Sequence, residues 1–176
     1  MATYVAMLKG INLGAHKRVS MKDLRTLFEE LGGDVRVHGQ TGNVVLSSPA
    51  KTPAAVAAAA EKAIADRLEL DVAVIVRTAA EMNELVDANP FIAAKKDPKA
   101  LHLTFLDGRP AAGRTIDAAV GGKDEFVIRG KDVFLHCPDG YGRTKLNNAF
   151  FERQLGVRAT TRNWNVVSAL ADLASG

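Results

Sequence analysis

The chain spells the same order of elements twice: strand, helix, strand, strand, helix, strand, with one further helix after each pass. In the first pass, residues 3–9 alternate in character and run into Gly10, which reads as a strand. Ser20 with Asp23 makes a start resembling a capping box. Met21, Leu24, Leu27, Phe28 and Leu31 then recur at helical spacing until Gly32-Gly33 stops the helix. Val35 and Val37 alternate with polar neighbours, residues 39–42 turn, and Asn43-Val44-Val45-Leu46 completes a hairpin. Thr52-Pro53 opens an alanine-rich helix with proline at its first position, and residues 72–76 read as a further strand. Thr78 and Glu81 form another capping box, which begins the extra helix through Val86.

Asn89-Pro90 and the charged stretch from Lys95 to Lys99 read as a linker, so the expected units are residues 1–90 and 101–176, joined by 91–100. The order then returns. Residues 101–106 form a strand, 110–120 a helix, and Gly121-Gly122 stops it as Gly32-Gly33 did. Phe126-Val127-Ile128 and Val133-Phe134-Leu135 make a hairpin across Gly130-Lys131. A helix over 144–155, a short strand over 157–160 and a closing helix over 164–173 complete the pass. The expected fold is therefore α+β, two tandem ferredoxin-like (βαββαβ) plaits, each followed by an extra helix. A plait orders its sheet 4-1-3-2 with every neighbour antiparallel.

That order brings distant loops together. In the first unit, Lys9 to Gly14 should approach Gln40 to Asn43; in the second, Gly140 to Asn148 should approach Thr161 to Asn165. The run Gly140-Tyr141-Gly142-Arg143-Thr144-Lys145-Leu146-Asn147-Asn148 feeds two cations and two amides into the expected helix start. Unpaired N–H groups and a partial positive charge there suit phosphate or carboxylate. The plainer reading is a turn with Thr144 as a cap. The run is not a P-loop, because Thr144 precedes Lys145 and the glycines stand too close. Arg162 would add a planar fork beside Arg143 and Lys145, whereas Trp164 reads as a core residue and Asn163 or Asn165 as a helix cap. The candidate ligand-binding residues are thus Arg143, Lys145, Asn148, Arg162 and Asn163, with Lys9, Asn12, Gln40 and Asn43 at the other loop pair. The latter four can position a ligand but carry no acid or base tuned near neutrality.

Other chemistries find less support. Hydrophobic residues make up 47% and charged residues 24%, an ordinary globular balance, and a net charge of +3 permits an anionic partner without demanding one. Cys137 is the only cysteine, so there is no disulfide framework and no cysteine-rich zinc site. His16, His38, His102 and His136 are widely spaced, and a metal site is not expected; the last three fall in strands and read as satisfied structural residues. No nucleophile elbow is present. Apolar stretches are broken by charge well short of a membrane span, so a cytoplasmic, soluble protein without membrane partners is expected. The RNA-recognition motif shares the plait topology, but the third strands here, Asn43 to Ser47 and Asp132 to His136, lack its aromatics apart from Phe134.

The same segments carry a resemblance. Tyr4-Val5-Ala6-Met7-Leu8-Lys9-Gly10-Ile11-Asn12-Leu13-Gly14 resembles the opening of the bacterial domain-of-unknown-function family 1697, whose pattern often has Arg where this chain has Lys9. The likeness continues through Val19 to Leu24, Gln40 to Val44, Gly140 to Leu146 and Thr161 to Asn165. The resemblance implies tandem α/β plaits and marks positions without naming an activity or a cofactor. The functional expectation is a protein that binds a small anionic or nucleotide-like ligand through the glycine-rich loop and its Arg, Lys and Asn neighbours. The alternatives are a nucleic-acid-binding module using Lys9, His16, Lys17 and Arg18, or an enzyme acting on a phosphorylated substrate.

Overall fold

The computed structural model describes residues 1–176. The chain forms two compact units, Met1–Glu84 with Leu170–Gly176, and Leu85–Ala169. Each is built on a four-stranded antiparallel sheet.

In the first unit the elements run β1 (Ala2–Leu8), α1 (Met21–Glu29), β2 (Gly33–His38), β3 (Asn43–Ser48), α2 (Pro53–Leu68) and β4 (Val74–Thr78), followed by α3 (Ala79–Asp87). The sheet order is β2-β3-β1-β4, the plait order read from its opposite edge. Register follows the pleat: Tyr4 faces Leu46 and Ala6 faces Val44 across the β1–β3 ladder. Tyr4, Ala6, Leu8, Val44, Leu46, Val74 and Val76 therefore share one face. They pack with Leu24, Leu27 and Phe28 of α1 and Val56, Ala60 and Ile64 of α2. Each large apolar side chain so buried contributes about 1.5–3 kcal/mol. The caps form as their sequences dictate. Ser20 Oγ accepts from Asp23 N at 3.0 Å, Thr52 Oγ1 from Ala55 N at 3.1 Å, and Thr78 and Glu81 bond each other's backbone N–H at 2.8 and 3.0 Å.

The second unit begins in α3 and continues with a short helix α4 (Pro90–Ala93), then β5 (Leu101–Leu106), β6 (Glu125–Arg129), β7 (Asp132–His136), α5 (Asn148–Leu155) and β8 (Ala159–Asn163); α6 (Trp164–Ser175) closes the chain. Its sheet order is β6-β7-β5-β8. Leu106, Val133, Leu135, Leu146, Phe151, Leu155 and Ala159 form the core on the face that α5 covers, with Phe126 and Phe151 edge to face at 6.0 Å.

Three expected elements differ, and one is the last strand, which runs over Ala159–Asn163 and not 157–160, so that Thr161 to Asn163 lie in the sheet. Residues 110–120 are not an α-helix; the crossover there carries only a short 3₁₀ turn, Ala118–Gly121. Gly113 takes a φ of +78°, Asp117 caps the turn through Ala119 N at 2.9 Å, and Ile116 is the only residue of the segment packed on the core. A helix with a single apolar anchor, interrupted by glycine, has too little burial to form. The helix expected from Thr144 begins instead at Asn148, with Asn147 Oδ1 accepting from Phe150 N at 2.9 Å. Tyr141–Arg143 is a separate 3₁₀ turn.

Candidate functional site

The late start of α5 changes the basis of the site. Arg143 and Lys145 precede the helix, whose N-terminus is closed by Asn147, so the helix dipole does not present them. Thr144, between the two cations, turns inward. Its Oγ1 donates to Asp124 Oδ2 at 2.6 Å and accepts from Leu146 N at 3.1 Å. Arg143 and Lys145 are consequently left exposed on either side of a buried anchor.

Both cations line a cleft of about 580 Å³. Its walls come from two segments, Ala119 to Asp124 and Asp139 to Lys145, and it includes Gly121, Gly122 and Gly140. Lys123 joins Arg143 and Lys145 there, giving three cations against two carboxylates, Asp124 and Asp139. The carboxylates are not equivalent, since Asp124 is bonded to Thr144. None of the three cations is held in an ion pair.

Arg162 lies elsewhere. Along β8 successive side chains alternate, and Thr161 points toward α5, where its hydroxyl donates to Asn148 Oδ1 at 2.6 Å. Arg162 therefore occupies the opposite face. There it is 8% exposed, bonded through Nη1 to Thr160 Oγ1 at 2.8 Å and to the Thr161 carbonyl at 3.0 Å, and burial lowers its pKa to about 10. It does not line the cleft with Arg143 and Lys145. Asn163 Oδ1 accepts from Val166 N at 2.9 Å at the start of α6, and Trp164 is buried.

The first-unit loops do meet. Asn12 Nδ2 donates to Gln40 O at 2.9 Å and to Val19 O at 3.0 Å, while its Oδ1 accepts from Val19 N at 2.8 Å. Leu8 N donates to Gly42 O at 2.8 Å. Asn43 is fully buried, and its Nδ2 donates to Thr41 Oγ1 at 2.9 Å and His38 O at 3.3 Å. Asn12 and the Leu8–Gly42 bond fasten the two loops to each other, while Asn43 braces its own turn. Gln40 is exposed and Lys9 half-buried, and Lys17 donates through Nζ to Asp71 O at 2.6 Å.

Beneath the Tyr141–Arg143 turn lies a polar network that sequence reasoning did not single out. Thr161 donates to Asn148, so Thr104 is the donor in the 2.7 Å contact between the two threonine hydroxyls. Tyr141 lies beside this network, and burial is the main reason its pKa is raised. The Tyr141 ring stacks on His102 at 4.9 Å between centroids. His102 was expected to be a satisfied strand residue, yet its Nδ1 is buried without a partner and burial lowers its pKa. Alternation in β5 could have placed His102 and Thr104 on the α5 face. Lys123 had a signal too, immediately after Gly121-Gly122. Cys137 is buried beside Thr144, and burial pushes its thiol up to about 11. No cluster of three or more His, Cys, Asp or Glu side chains is placed to hold a metal ion, and no helix is long and apolar enough to cross a membrane.

Comparison with solved structures gives the same architecture. The conserved bacterial protein SP0830 from Streptococcus pneumoniae superposes with a TM-score of 0.68 over 98% of both chains at 16% sequence identity, a likeness of fold. No curated protein matches. A family model described as "Protein of unknown function (DUF1697)" matches residues 1–134, leaving Gly140 to Lys145 and Thr161 to Asn165 beyond the matched stretch. With about three quarters of its length matched, and with the tandem plaits in place, the chain belongs to the DUF1697 family.

Proposed function

We propose that the second-unit cleft binds a small phosphate-class anion. The observation that carries this reading is the convergence of Lys123, Arg143 and Lys145, none held in an ion pair, on one cleft with glycine-rich walls. Cations left without partners in a concave site gain charge-assisted hydrogen bonds when an anion enters, and Arg143 offers a planar fork suited to phosphate oxygens. Asp124 is held by Thr144, whose hydroxyl bond takes up part of its acceptor capacity. Several such bonds, offset by the cost of association in an open cleft, correspond to inorganic phosphate binding at about millimolar concentration.

Thermal unfolding tests the proposal. At ten times the dissociation constant, bound phosphate stabilises by about 1.4 kcal/mol, which for a chain of this size raises the melting temperature by roughly 3–5 °C. Chloride at matched ionic strength should not. Lys123→Ala/Arg143→Ala/Lys145→Ala should abolish the shift while keeping the fold. Absence of stabilisation across phosphate, sulfate, nucleotides and carboxylates would end this reading. A shift with single-stranded RNA that depends on Lys9 and Arg18, and not on the three cations, would transfer the function to nucleic acid.

A further inference from the structure

The cleft is bipolar, and its polarity specifies more than an anion. Asp139 lines the same cleft as the three cations, makes no hydrogen bond or ion pair, and is exposed. Its position is fixed by the backbone. Gly140 N donates to Cys137 O at 3.0 Å across Cys137-Pro138-Asp139-Gly140, a β-turn with proline at its second position and glycine at its fourth, the residues such turns favour. A carboxylate held on a short turn beside a phosphate site repels a bare anion. It becomes favourable only when the ligand brings a hydrogen-bond donor of its own. A cleft of about 580 Å³ also lies in the range that takes whole small molecules, so phosphate alone would fill little of it.

Building on the anion-binding reading, we infer that the ligand is a phosphomonoester whose body carries a donor, a hydroxyl or ammonium group, with the phosphate on Lys123, Arg143 and Lys145 and the donor on Asp139. The chemistry shared by the two donor types is what Asp139 recognises. Asp124, on the same wall, is tied to Thr144, whose hydroxyl takes one of its acceptor positions, whereas Asp139 has all of its own open.

Three phosphomonoesters of similar size separate the possibilities by calorimetric titration: O-phosphoethanolamine carries an ammonium, glycerol 3-phosphate carries hydroxyls, and ethyl phosphate carries no donor. At least one of the first two should bind about tenfold more tightly than ethyl phosphate, the discrimination expected from one charge-assisted hydrogen bond in an open site. Whichever is preferred identifies the donor. In Asp139→Asn the preference should fall to within about twofold, while ethyl phosphate and inorganic phosphate bind more tightly than to the wild type. Equal binding of all three esters by the wild type, or a preference that survives in Asp139→Asn, would overturn the inference and leave phosphate binding standing. Failure of every ester and of inorganic phosphate to bind would instead overturn the anion-binding reading and this inference with it.

Discussion

Gly42→Ala should be among the most damaging single-methyl changes in the first unit, and its cost can be divided into two parts. Gly42 has a φ of +82°, where an L-residue is strained by about 1–2 kcal/mol. A Cβ there would also stand 2.8 Å from Leu8 Cβ and 2.9 Å from Ile11 Cδ1, both on buried residues. Overpacking of that kind costs a further ~1–3 kcal/mol, so the total is about 2–5 kcal/mol. Gly10→Ala separates the two parts, because Gly10 has a φ of +70° but nothing within 4 Å of its would-be Cβ. It should cost only ~1–2 kcal/mol. Urea unfolding of both variants beside the wild type gives the difference directly. If Gly42→Ala costs no more than Gly10→Ala, the close packing of the Lys9 to Gly14 loop against the β3 start is misdescribed.

Thr144→Val should destabilise the second unit by about 1–3 kcal/mol, since it removes the bond to Asp124 and leaves Leu146 N without its acceptor. It should also weaken phosphate binding by freeing Asp124, and Thr144→Val/Asp124→Asn should recover the affinity, as read by titration. Arg162→Met should alter stability, measured by urea unfolding, while leaving the phosphate dissociation constant within about twofold of the wild type; a large loss of affinity would place Arg162 in the site after all. Cys137 titrates near 11 when folded against an ordinary value of 9.0, so the unfolded chain loses this proton first. Its contribution therefore falls as pH rises from 9 toward 11, by on the order of 1–3 kcal/mol. Urea midpoints over that range should fall more steeply for the wild type than for Cys137→Ala.

Much of the architecture was legible because local signals agreed with one another. Ser20, Thr52 and the Thr78–Glu81 pair each cap where their sequences say, and the strand order follows once the element order is read. The segment over 110–120 misleads because its alanines and Ile116 imitate a helical pattern, although only Ile116 packs on the core. Thr144 misleads in a second way: a threonine before a helical run resembles a cap, but here its hydroxyl finds Asp124, which lies twenty residues earlier in the sequence. Loop convergence was legible from topology, as the Asn12–Gln40 and Asn148–Thr161 bonds show. Side-chain direction needed one more step. The period of two along β8 separates Thr161 from Arg162, and that separation removes Arg162 from the cleft and leaves Lys123 as the third cation.

Amide chemical shifts during a titration with inorganic phosphate test the central claim most directly, because they locate the anion as well as detect it. The cleft predicts saturable shifts confined to Gly121 to Asp124 and Asp139 to Lys145, lost in Lys123→Ala/Arg143→Ala/Lys145→Ala. Shifts centred on Lys9 to Arg18, or none up to tens of millimolar phosphate at constant ionic strength, would contradict it.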